Sequence, residues 1–153
     1  MTEKSLVHAL LIKLEEHITS HSFGDSPQEL YDPITYIMSL GGKRIRPLLS
    51  LLAYGIYGKN PAEILSQATA VEVFHNFTLM HDDIMDNAPL RRGKATVHEK
   101  WNTNIAILSG DVMLVRAYDL LLGTDPTLLP EVIRLFNKTA AEVCEGQQLD
   151  MNF

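Results

Sequence analysis

Cysteine is almost absent. Cys144 stands alone among 153 residues, which excludes an intrachain disulfide. In its helical surroundings it reads as a small packed hydrophobe. Long apolar runs are missing as well. None approaches the roughly 18 residues of a membrane span, and MTEKSLVHAL lacks the apolar stretch of a signal peptide. The compartment these absences imply is cytoplasmic. Positive charge is scarce: 13 Lys and Arg against 19 Asp and Glu give a net charge of −6, which argues against sequence-independent nucleic-acid binding. Strand alternation, fixed-period repeats and low-complexity segments are all missing. No Ser/His/Asp or Cys/His arrangement suggests a nucleophile.

What is present is helix. Hydrophobic residues make up 46% of the chain, enough for a buried core. Leu6, Leu10, Leu14 and Ile18 form one stripe. Further helices are expected from Pro27 to Leu40, Leu48 to Tyr57, Pro61 to Asn87 and Thr103 to Leu122, and from Thr127 onward. Glycine and proline clusters separate most of them, and a loop is expected to carry Arg91 to Thr96. Pro47 suits the first position of its helix. The last segment, Ala140 to Phe153, carries no stop signal or cap, so the chain reads as truncated.

Three segments concentrate charge, two of them at helix ends that disfavour it. HDDIMD ends the long helix with Asp82, Asp83 and Asp86. Helical spacing puts His75, Leu79, Asp82 and Asp86 on one face, with Asp83 about 100° away. The negative end of the macrodipole disfavours these acids by some tenths of a kcal/mol each. Two carboxylates about 6 Å apart repel by about 3 kcal/mol at an effective dielectric near 20. A hard cation such as Mg²⁺ offsets both terms, and a solvated acidic patch is the plainer alternative. GGKRIRP is the mirror image: Lys43, Arg44 and Arg46 gather at the positive end of the next helix, where free N–H groups also favour an anion. Arg91 and Arg92 are adjacent and project differently, so they can serve two anions. Each basic segment alone could be a solvated loop.

GGKRIRP, HDDIMD and RRG, in this order, resemble the trans-isoprenyl diphosphate synthases, or polyprenyl synthetases. Ser109-Gly110-Asp111 and Gly146-Gln147-Gln148-Leu149-Asp150 resemble two further motifs of that family. The resemblance implies an all-α antiparallel bundle of the isoprenoid synthase type, with residues 1–153 forming the N-terminal portion of one domain. It implies a prenyltransferase that condenses isopentenyl diphosphate with an allylic diphosphate (dimethylallyl, geranyl or farnesyl) into a C15–C20 product. Asp82 and Asp86, supported by Asp83, would hold Mg²⁺. Arg91, Gln147 and Asp150 would serve the allylic diphosphate. Lys43, Arg46, His75 and Arg92 would hold isopentenyl diphosphate. Phe74, Phe77 and Thr78 would set product length. The helices Thr103–Leu122 and Thr127–Asp150 would pack across a homodimer interface.

The family's second aspartate-rich motif has no counterpart here, so the chain by itself is expected to be inactive. Other readings are a non-catalytic prenyltransferase subunit, a terpene cyclase and an HD-type metal phosphohydrolase. The cyclase does not need GGKRIRP, and the hydrolase leaves it unexplained. The subunit would be expected to lose its acids.

Overall fold

A computed structural model describes residues 2–153. Seven α-helices account for almost all the structure among them: α1 (Glu3–Ser20), α2 (Gln28–Ser39), α3 (Ile45–Ile56), α4 (Leu65–Met85), α5 (Val97–Lys100), α6 (Thr103–Leu121) and α7 (Leu129–Met151). A 3₁₀ turn, Pro61–Ile64, precedes α4. Local chemistry marks the starts. Thr2 accepts from the Ser5 amide at the head of α1, and Asn102 accepts from the Ile105 amide at the head of α6.

Helix α4 is the axis of the bundle. It packs most extensively on α6 and also touches α1, α2, α3 and α5. Its small residues Ala68, Ala70 and Val73 are fully enclosed. Around them lie Leu14 of α1, Ile34 and Ile37 of α2, Leu51 of α3 and Met113 of α6, all essentially buried. Burying a side chain such as Leu14 or Met113 stabilises the fold by about 2 kcal/mol. Because neighbours surround α4, its polar residues Thr69, Glu72, Asn76 and Asp83 are buried too. Helix α7 is the opposite case: it has no fully buried residue, and touches the core through Val132, Ile133 and Phe136.

Several expectations need correction. Helix α3 begins at Ile45, so Pro47 is its third residue and not its first. Proline is tolerated throughout a first helical turn because those N–H groups have no intrahelical partner. The expected helix from Pro61 to Asn87 is divided, since Asn60 and Pro61 favour a short 3₁₀ start before α4 proper. The loop after Pro89 holds a small antiparallel hairpin, β1 (Leu90–Arg91) and β2 (Lys94–Ala95). Its two turn residues, Arg92 and Gly93, have φ of 51° and 77°, as a tight two-residue hairpin turn needs. Cys144 is exposed and unpacked, because α7 meets the bundle along one edge only.

Candidate active site

Two clefts flank α4, and the charged segments supply their walls. The first, of about 430 Å³, is lined by Gly42, Lys43, Arg44, Ile45, Arg46, Glu72, His75 and Arg92. All four residues assigned from sequence to the isopentenyl site, Lys43, Arg46, His75 and Arg92, therefore meet in one place. Among the described residues, Lys43, Arg46 and Arg92 have no carboxylate in ion-pair range; Glu72 is engaged by Arg44 and Asn76.

Long-range contacts bring these residues together. The Tyr36 hydroxyl donates to the Ala95 carbonyl at 2.7 Å, and its ring packs edge-on against Trp101, which fixes the hairpin to α2. The Thr96 hydroxyl donates to the Ala88 carbonyl at 2.8 Å. So held, Arg92 Nη1 reaches the Gly41 carbonyl at 2.5 Å. Gly42 makes room: its φ is +135°, and a β-carbon there would sit 2.9 Å from Arg92 Nη2. Burial and the charges of Arg91 and Arg44 push the Arg92 guanidinium below its usual range, a sign of cations crowded together. Arg46 Nη1 lies 3.3 Å from His75 Nε2. Arginine can only donate, so Nε2 accepts and the imidazole is neutral. Burial, then Arg46, lowers the His75 pKa in the same sense.

At the other end of α4 the three acids separate by role. Asp83 is 4% exposed and turns away from the cleft. Its two oxygens accept from Arg91 Nε at 2.9 Å and Nη2 at 2.7 Å. Asp82 and Asp86 have no hydrogen-bonding partner for their side chains among the described residues. Burial raises the Asp82 pKa, and the charges of Asp86 and Asp83 raise it further. Among the described residues no three His, Cys, Asp or Glu side chains are disposed to hold a metal ion. With Asp83 committed to Arg91, Asp82 is left at the wall of a cleft and Asp86 is exposed.

The second cleft, of about 270 Å³, lies between α4 and α7 and is lined by Phe77, Thr78, His81, Asp82, Val143 and Gln147 among others. It brings the acid Asp82, the presumptive length residues Phe77 and Thr78, and Gln147 of the last motif to one wall. Asp150 is exposed and does not line it. Phe74 lies one turn further along α4, its ring 5.7 Å from Phe77 and 5.2 Å from Phe136 of α7. It lines a deeper apolar cavity of about 260 Å³ with Val71, Leu121 and Phe136. The aromatic pair therefore stands where the two cavities approach each other.

The model of the family described as polyprenyl synthetase matches residues 27–153. A geranylgeranyl diphosphate synthase of Methanosarcina mazei is 44% identical over 129 residues, 83% of this chain and 40% of that protein. A short chain isoprenyl diphosphate synthase of Methanocaldococcus jannaschii is 40% identical over 145 residues, 94% of this chain and 44% of that one. Among solved structures, a geranylgeranyl pyrophosphate synthase superposes with a TM-score of 0.89 at 50% identity, covering 100% of this chain and 46% of the other. That of Pyrococcus horikoshii gives 0.90 at 34% identity, covering 97% and 46%.

The chain belongs to the polyprenyl synthetase family.

It spans about two fifths of the length of these curated relatives. As a polyprenyl synthetase segment it has the all-α fold of its structural neighbours, and the small hairpin is the only sheet among the described residues. No helix among them is long and apolar enough to cross a membrane. Sequence reasoning missed the buried role of Arg44, whose guanidinium, at the wall of the cleft, joins three other helices. The signal was the left-handed backbone that its place between Gly42 and a helix start imposes, which periodicity does not report. His81 of α4 faces α6: its Nε2 lies 3.0 Å from the Ile107 carbonyl, and Gly110 provides the space for its ring.

Proposed function

We propose that this chain forms the diphosphate-binding wall of a short-chain prenyltransferase that joins isopentenyl diphosphate to an allylic diphosphate, giving a C15–C20 product. The observation that carries the reading is the convergence of Lys43, Arg46, His75 and Arg92 in one cleft beside α4, the helix whose far end presents Asp82 and Asp86. Three cations without carboxylate partners call for a polyanion. A neutral histidine among them adds a hydrogen-bond donor through its other ring nitrogen without adding charge.

The opposite end fits Mg²⁺ by its donor chemistry. Asp82 and Asp86 are hard oxygen donors; burial first, and then the Asp86 charge, raises the Asp82 pKa, and a divalent cation relieves that repulsion. When bound there, Mg²⁺ stabilises charge on a leaving diphosphate. Asp83 contributes by holding Arg91, which places a guanidinium among all three carboxylates. Arg91 Nη1 keeps its donors free of protein partners and can meet the allylic diphosphate.

Ionisation of the allylic substrate leaves a carbocation. The double bond of isopentenyl diphosphate attacks it, one carbon–carbon bond forms, and one proton is lost. The chain's own contribution is placement and electrostatics. Lys43, Arg46 and Arg92 hold the acceptor's diphosphate, and Arg91 faces the leaving group. Phe77, Phe74 and Thr78 keep water from the cation. The Thr78 hydroxyl donates to the His75 carbonyl at 2.6 Å, so its polar atom is satisfied within the helix and its methyl completes the apolar wall. Gln147 faces the same cleft, and Asp150 is exposed outside it.

The partner is a second copy of the chain. Leu108, Val115 and Leu122 of the α6 segment are each more than half exposed and recur at heptad spacing, which lays an apolar seam along the helix. Calorimetry with isopentenyl diphosphate tests the binding reading. Saturable binding that Lys43→Met or Arg46→Met removes is expected, and no binding overturns it. Turnover of dimethylallyl and isopentenyl diphosphates by the chain alone is expected to be absent. Robust turnover would show that no opposite wall is required.

A further inference from the structure

The α2–α3 loop and the first turn of α3 together carry three cations, Lys43, Arg44 and Arg46, and only Lys43 and Arg46 are free to meet an anion. Arg44 is 4% exposed. Its guanidinium joins three helices: Nε donates to Glu15 Oε1 of α1 at 2.7 Å, Nη1 to Glu72 Oε1 of α4 at 3.2 Å, and Nη2 to the Met38 carbonyl of α2 at 2.7 Å. Its backbone is left-handed, φ 52°, which a side chain of this size adopts only when its surroundings hold it there. Glu72 is held in turn by Asn76 Nδ2 at 3.0 Å, and it lines the cleft. Helix α1 precedes residue 27, outside the segment the family model matches. Through Glu15 it is nevertheless tied to Arg44, the N-cap residue between Lys43 of the loop and Arg46 of α3.

We propose that Arg44, with Glu15 and Glu72 as its acceptors, is the positioning residue of the anion cleft, which makes α1 a working part of the isopentenyl diphosphate site. The proposal rests on the reading of that cleft given above. The sign of the charges supports it. Arg44, Glu15 and Glu72 together carry one negative charge, so at long range the trio repels the anion beside it. A site built for attraction alone would omit the two acids. Their role is geometric: a planar fork with two carboxylates and a carbonyl around it has one orientation, and the loop's backbone follows. Lysine, a point charge on a flexible stem, cannot replace it.

The test uses the 153-residue chain and inorganic pyrophosphate, with binding followed by calorimetry and the fold by circular dichroism. Glu15→Ala and Glu72→Gln each remove a negative charge. Electrostatics alone therefore requires tighter pyrophosphate binding, whereas positioning requires weaker binding, by about three- to tenfold. The loss should persist in about 0.5 M salt, where screening is effective beyond roughly 4 Å. Arg44→Lys should resemble Glu72→Gln and not the parent chain. Equal or tighter binding by the folded carboxylate variants overturns the proposal. Should Glu72→Gln fail to fold, Glu15→Ala decides alone, since the Glu15 side chain is 44% exposed and Arg44 keeps Glu72 and the Met38 carbonyl as acceptors. If the unaltered chain does not bind pyrophosphate, the reading of the cleft fails and this proposal falls with it. If the chain binds and the variants bind equally, only the positioning role fails.

Discussion

Arg91 grips Asp83 with two parallel hydrogen bonds, Nε to Oδ2 at 2.9 Å and Nη2 to Oδ1 at 2.7 Å. Arg44 grips Glu72 eleven residues earlier on α4. Eleven residues are close to three full helical turns, so the two acids lie on one side of the helix about 16 Å apart. Each basic segment thus has one arginine anchored to α4, and its remaining cations are left for ligands.

The anchoring role of Asp83 separates it from its neighbours in a stability measurement. Asp83→Ala should lower the unfolding free energy by about 1–3 kcal/mol, because it strands a half-buried guanidinium. Asp82→Ala and Asp86→Ala should be neutral, or stabilising by a few tenths of a kcal/mol, since each relieves repulsion and an unfavourable helix dipole. Urea unfolding of the three variants checks this. Equal destabilisation by all three would remove the distinction.

Histidine protonation should weaken the fold. His17, His21 and His75 have pKa values lowered from 6.5, chiefly by burial. A depressed base contributes stability that is fully present above 6.5 and is lost as pH falls through its folded pKa. The melting temperature should therefore decline on acidification below that point. Pyrophosphate in the first cleft should raise the His75 pKa, because an anion favours imidazolium. Ring resonances followed by NMR, with and without pyrophosphate, give the answer; an unchanged His75 titration counts against the cleft assignment.

Gly42→Ala should weaken pyrophosphate binding about as much as Arg92→Ala. The added methyl would meet Arg92 Nη2 at 2.9 Å, and the residue's φ of +135° is strained for any side chain. Calorimetry on the two variants compares them. Parent-like affinity in Gly42→Ala would mean that Arg92 reaches the anion by another path.

In an active full-length form, Phe77→Ala should lengthen the product by at least one isoprene unit. Phe77 lines the cleft at Asp82, and its ring lies 5.7 Å from Phe74, which lines the neighbouring apolar cavity, so its removal should open space toward that cavity. Chromatography of the products is the measurement. An unchanged distribution would return Phe77 to the core.

Val115→Glu should shift the chain toward monomer in sedimentation, because it buries a charge in the proposed seam. Unaltered sedimentation would move the interface elsewhere.

The sequence by itself determined the helices and much of the candidate site. Helical periodicity and glycine or proline punctuation are local, so most elements were legible to within a few residues. The 3.6-residue repeat was enough to put His75 and Asp82 on one face of α4. Charge placed against the helix dipole was also local, and it marked GGKRIRP and the acids; the Arg91-Arg92 pair lay in an expected loop and carried no such signal. Tertiary structure decided which charge does what. Lys43 and Arg44 are neighbours in sequence and identical in sign, yet one faces a cleft and the other is buried. Asp82 and Asp83 divide in the same way. The physical reason is that a charge can be buried only where opposite partners surround it. For Arg44 those partners arrive from α1, α2 and α4, and for Asp83 the partner arrives from the hairpin, which only the packing around α4 brings within reach.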